Sequence, residues 1–124
     1  MNRLAIAAAA FLALGTPAMA NTSFCNNSLS TIGIVTAPST GPFNMVVMGY
    51  SMRLTNLTNQ EVVARVTAAT SQLGGAQNLT STTPIRIRAN LPYGVPIAMF
   101  RGAAGSTPPS ASAVLAAVRV ACGP

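Results

Sequence analysis

The chain has 124 residues; half are apolar, 6% are charged, and the formal net charge is +6 at pH 7. All seven cationic side chains are arginine, Glu61 is the single acid, and histidine is absent. A Ser-His-Asp triad, a Ser-Lys dyad, a pair of catalytic carboxylates and an imidazole-based metal site are all excluded by that inventory. Neither a P-loop nor a dinucleotide glycine pattern occurs. The expectation is therefore a non-enzymatic protein with no metal and no cofactor.

The N-terminus follows the three-part logic of a secretory signal. Arg3 supplies the positive start, Leu4 to Leu14 form an unbroken apolar run, Gly15-Thr16-Pro17 break it, and Ala18-Met19-Ala20 places small residues at the cut. The apolar run falls short of the ~20 residues that span a bilayer. Residues 1–20 are thus expected to be a cleaved signal peptide of bacterial character, and residues 21–124 a single exported domain of the periplasm or cell surface. Cys25 and Cys122, the two cysteines, stand near the two ends of that domain. With no C-x-x-C spacing and no histidine, they are expected to form a structural disulfide, as befits an oxidising compartment.

Past the signal, β-rich runs alternate with turn-forming clusters. Thr31 to Thr36 predicts a short strand ended by Pro38 and the turn at 39–42. Phe43 to Asn56 is the longest run, with Val46, Met48, Tyr50, Met52 and Leu54 facing one way and Ser51 and Arg53 the other. After the polar turn at 56–60, Glu61 to Thr70 puts Val62, Ala64, Val66 and Ala68 inward, and the two runs are expected to pair as a hairpin. Gly74-Gly75 marks a loop before the alternating Ile85-Arg86-Ile87-Arg88. Pro92, Gly94 and Pro96 punctuate the next stretch, so Val95 to Arg101 is expected to be an edge strand or to begin at its proline. A Gly/Ala/Ser/Pro loop covers 102–112. Val114, Ala116, Val118, Val120 and Cys122 then read as a last strand; a helix is also compatible with the Ala and Leu content, but Val is β-branched and Arg119 falls opposite. Six to seven short strands with turn signals between them predict an all-β fold, a small antiparallel immunoglobulin-like sandwich.

Arg86 and Arg88, two apart on a strand, are the candidate recognition site, and Arg65 joins them if its strand is adjacent. Guanidinium groups grip phosphate, sulfate or carboxylate bidentately, so this face would take an anionic glycan or lipid headgroup; the plainer reading is a solvated strand edge. Nucleic acid is disfavoured, because the aromatics do not interleave with the arginines. Four Asn-x-Ser/Thr triplets, starting at Asn21, Asn26, Asn56 and Asn78, read as polar turns in a bacterial context. Met48 and Met52 share the apolar face of the long strand and read as core rather than soft-metal ligands. The stretch from Arg53 to Gln60 and the Val-rich strand after it resemble a strand–turn–strand of immunoglobulin-like envelope domains such as pilus chaperones, a likeness too short to assign a family.

The function expected on these grounds is a structural or interaction role at the envelope, as a fimbrial-type or matrix subunit with protein partners, itself or another envelope protein. The alternatives are a periplasmic binding module using the arginine face and a small assembly factor that pairs with a partner strand.

Overall fold

The computed structural model describes residues 22–123; the expected signal peptide lies outside the described residues. The chain forms two antiparallel sheets, as the all-β expectation requires. β1 (Thr22–Phe24) and β2 (Leu29–Thr31) make the first hairpin. Gly33, with φ at +128°, then bends the chain into β3 (Ile34–Thr40), so the expected strand over Thr31 to Thr36 is split in two. β3 runs on through Pro38 rather than ending there and pairs with β4 (Val46–Asn56), from Ile34 opposite Met52 to Thr40 opposite Val46. Proline is tolerated because β3 lies at an edge, where the missing N–H leaves no ladder bond unmade.

β5 (Val62–Ala68) does not pair with β4 as expected, but belongs to the other sheet. The cause lies at Asn56, which is fully buried; its amide donates to the Gln60 carbonyl (2.7 Å) and to the Ile87 carbonyl (2.9 Å). That clamp turns the chain across the core instead of back along β4. β6 (Gln77–Asn78) is a two-residue strand of the large sheet, and β7 (Ile85–Ile87) pairs with β5 in the small one. β8 (Pro92–Gly102) is longer than expected and pairs along the whole of β4, with a register shift at Tyr50/Ser51.

The last apolar segment divides. Ala111–Ala117 is a helix, α1, and Val118–Cys122 is β9, paired with β5. The expectation of a continuous strand fails because Ser110 caps the helix, its hydroxyl accepting the Ala113 N–H, and because Val114 and Ala117 share one helical face and are both buried. The large sheet thus runs β1-β2-β4-β8-β6, with β3 beside the far part of β4, and the small sheet runs β7-β5-β9.

The core lies between the sheets, and strand periodicity chooses its residues. Tyr50, Met52 and Leu54 come from β4, Ala64 and Val66 from β5, and Leu29, Ile87, Ile97 and Val114 complete the contact. Each large aliphatic buried this way stabilises the fold by roughly 1.5–3 kcal/mol. Met48 packs at the margin of the same core, in keeping with a packing role for Met48 and Met52. The Tyr50 hydroxyl donates to the Pro109 carbonyl, which ties the proline loop before α1 to β4. Burial pushes that phenol above its usual pKa, so it stays a protonated donor at neutral pH.

Cys25 and Cys122 are disulfide-bonded, with their α-carbons 5.8 Å apart. The bond joins the β1–β2 turn of the large sheet to the end of β9 in the small one. Among the described residues, no helix is long and apolar enough to cross a membrane.

Candidate functional site

Two surfaces stand out, and one of them was legible as a candidate in the sequence. On β5, Val63 lies opposite Arg86 and Thr67 opposite Arg119. Side chains two apart on a strand share a face, so Arg86, Arg65 and Arg119 come from three adjacent strands onto the outer face of the small sheet. Arg65 and Arg86 therefore share this face. Arg119 joins them, which strand register alone could reveal. Arg88 follows the last residue of β7 and stands exposed in the next turn.

Much of this charge is already engaged. Arg86 donates to Glu61 at 2.9 Å in an exposed ion pair. Arg119 folds back to donate to the carbonyls of Ala116 (2.9 Å) and Val118 (3.0 Å), closing the C-terminal end of α1. Arg65 is half-buried and holds a contact of its own. An exposed pair such as Arg86–Glu61 contributes ~0–1 kcal/mol. The double variant Arg86→Ala with Arg88→Ala is accordingly expected to keep its unfolding free energy within about 1 kcal/mol of wild type. A larger loss in chemical denaturation would mean that one of these arginines carries the fold.

The second surface was not legible in the sequence. β6 pairs with β8 at Ala98 and Met99 alone, and the Leu79 N–H then donates to the Ile97 carbonyl (2.8 Å). From Ile97 back to Pro92, β8 has no further strand on that side among the described residues. The chain from Leu79 to Ile85 stands away from this edge and leaves a cleft of about 180 Å³. Its walls are mostly apolar: Val66, Leu79, Ile85, Tyr93, Val95 and Pro96, with hydroxyls of Thr80, Ser81 and Thr83 on one side. A shallower hollow of about 200 Å³ lies beyond Leu79 and Pro96, over Gly49 and Ala37.

One wall is built by an Asn-Leu-Thr turn. The Asn78 side-chain oxygen accepts the Thr80 N–H (2.9 Å) and hydroxyl (2.6 Å), and its amide donates to the Ala68 carbonyl (2.8 Å). The Thr80 hydroxyl oxygen accepts the Ala68 N–H (3.1 Å). Asparagine followed by a hydroxyl residue two positions on favours such a local turn, and here it holds Leu79 at the cleft wall. Asn56-Leu57-Thr58 repeats the motif, with Asn56 accepting the Thr58 N–H (2.8 Å) and hydroxyl (2.7 Å). Asn56 and Asn78 therefore act as turn-builders, as the polar-turn reading anticipates.

A third feature lies at the turn between β3 and β4. The β3–β4 hairpin ends in Gly41-Pro42-Phe43-Asn44-Met45, closed by the Gly41 N–H donating to the Met45 carbonyl (2.9 Å). Phe43, at its tip, is 98% exposed and has φ at +58°. A bulky side chain in the left-handed region is uncommon and costs roughly 1–2 kcal/mol. The fold recovers nothing for it by burial.

Two open edges of the large sheet carry prolines, Pro38 in β3 and Pro92 and Pro96 in β8, whereas the edge strands β1, β7 and β9 carry none. Proline lacks the N–H that an added strand would accept from, so the edges of β3 and β8 are poor templates for main-chain pairing. Along β3 and β8, contacts with another chain are better made through side chains. No known protein family, curated protein or solved structure matches this chain.

Proposed function

We propose that this is a non-enzymatic exported protein of the bacterial envelope or cell surface, a fimbrial-type or matrix subunit built on an immunoglobulin-like sandwich. Its role in this reading is structural, and its partners are proteins, first of all further copies of itself. The observation that carries the proposal is the β3–β4 hairpin, which holds Phe43 almost fully in water at a strained backbone position. Strain at an exposed apolar residue is retained where a binding partner uses it. The Cys25–Cys122 disulfide and the signal-like segment 1–20 support export. The arginine face supports an anion-binding role less well, because Arg86 and Arg119 already have partners. A factor that caps a partner strand is disfavoured along β3 and β8 by their prolines.

Size-exclusion chromatography with light scattering on the oxidised protein tests the proposal. The mean mass is expected to exceed that of the monomer and to rise with protein concentration. It is expected to rise with salt as well, because copies of one basic chain repel each other and salt screens that repulsion within ~10 Å at 0.1 M. A monomer at every concentration and ionic strength would overturn the structural reading.

A further inference from the structure

We infer that the Phe43 tip of one copy seats in the cleft beside β8 of a second copy, so that molecules join head to tail. The inference deepens the self-association proposed above and rests on it. The fit begins with size. The cleft holds about 180 Å³, and an apolar cavity of roughly 150 Å³ is large enough to bind benzene. Val66, Leu79, Ile85 and Val95 offer aliphatic walls to a phenyl ring, and Tyr93 offers an aromatic one.

Charge selects the same pairing. Beyond the signal-like segment the chain carries six arginines and one acid, so most approaches of one copy to another set guanidinium against guanidinium. Neither the tip, Gly41 to Met45, nor the cleft lining contains a charged residue. A second copy can therefore dock there without burying an unpaired charge.

Geometry makes the contact intermolecular. The tip leads into Val46, and the cleft lies beside Gly94, opposite Arg53 on the same strand. Seven residues of β4 at ~3.4 Å each separate the two by roughly 24 Å, and β4 is held on both sides along that length. A knob and a hole at separate places on one surface make a heterologous contact, which propagates into open chains unless its rotation closes. One aromatic residue buries roughly 150–250 Å², against ~800 Å² per partner in a standard interface. Pro42, Asn44 and the flanks of the hairpin enlarge the contact, but it stays small, and chains form at high protein concentration.

Three variants and one mixture test this. Phe43→Asn removes the knob and suits the left-handed backbone, so it is expected to raise Tm by roughly 4 °C or more while abolishing association. Ser81→Arg, at an exposed position of the cleft wall, places charge in the hole, and the fold is expected to accept it. Thr83→Arg, exposed on the same wall, does the same and serves if Ser81→Arg misfolds. Each variant alone should run as a monomer under conditions where wild type forms a concentration-dependent series. An equimolar mixture of Phe43→Asn with either hole variant restores one knob and one hole, and is expected to give a dimer and nothing larger. Variants that assemble like wild type would overturn the knob-and-hole contact and leave the self-association reading standing. A mixture that stays monomeric, or a wild type that stops at the dimer, would overturn the head-to-tail arrangement. A wild type that is monomeric throughout would overturn both.

Discussion

Cys122→Ser is expected to lower the free energy of unfolding by roughly 2–5 kcal/mol, read from the midpoint of denaturant unfolding at unchanged slope. The disulfide spans 97 residues, almost the whole described domain, so in the chain-entropy model it constrains the unfolded state by about 4–5 kcal/mol. A domain of this size has little stability to spare. Native-state geometry adds to the effect, because the bond joins the two sheets across the margin of the core. Cys25 is placed differently: its φ of +58° is one that asparagine tolerates far better than cysteine. Cys25→Asn breaks the same bond but relieves that backbone, and its loss should be smaller than that of Cys122→Ser by up to ~1 kcal/mol. Two free thiols titrating in the native oxidised protein, or an unchanged midpoint in Cys122→Ser, would remove the staple from the account of this fold.

Strand faces were legible before strand partners were. On β4 and β5 the buried residues Tyr50, Met52, Leu54, Ala64 and Val66 recur at every second position, because burial on one side of a sheet has period two. Partners depend on register between distant segments, and no local pattern encodes that. Strands adjacent in sequence usually lie adjacent in space, which favoured a β4–β5 hairpin; one buried asparagine overrules the tendency. The segment ending at Cys122 was ambiguous for another reason. Val114 and Ala117 satisfy a helical spacing, Val118 and Val120 satisfy a strand, and short apolar runs do not distinguish the two. The arginine face was legible in part, since Arg86 alternates with Ile85 and Ile87, but Arg119 joins it through the β5–β9 register. The cleft had no sequence signal. It exists because β6 stops after two residues beside a strand of eleven.

Asn56→Ala is expected to destabilise the protein by about 2–5 kcal/mol, and Asn78→Ala by about 0.5–1.5 kcal/mol, although both remove the same residue from the same Asn-Leu-Thr turn. The difference follows from burial. Asn56 is 0% exposed, whereas Asn78 is partly open to water. Alanine at 56 strands the Ile87 carbonyl and the Thr58 N–H, while the Gln60 carbonyl keeps the Thr58 hydroxyl as donor (2.9 Å); the Ile87 bond is buried throughout, and a buried group without a partner costs ~1–3 kcal/mol. Alanine at 78 frees the Ala68 carbonyl and the Thr80 N–H where water can reach, so most of the loss is made good. Asn56→Asp sharpens the comparison. It keeps the oxygen that accepts from Thr58 but turns two donors into a charge facing two carbonyls. It should therefore be at least as damaging as alanine at pH 7, and less so as pH falls toward ~4, where the carboxyl gains a proton and can again donate. Urea or guanidinium midpoints for the three variants, taken at both pH values, measure all of this. Equal losses at 56 and 78 would mean that Asn56 is not the clamp that sends β5 to the second sheet. The turn would then be a local solution to a short polar linker, and some other contact would have to explain why β4 and β5 part.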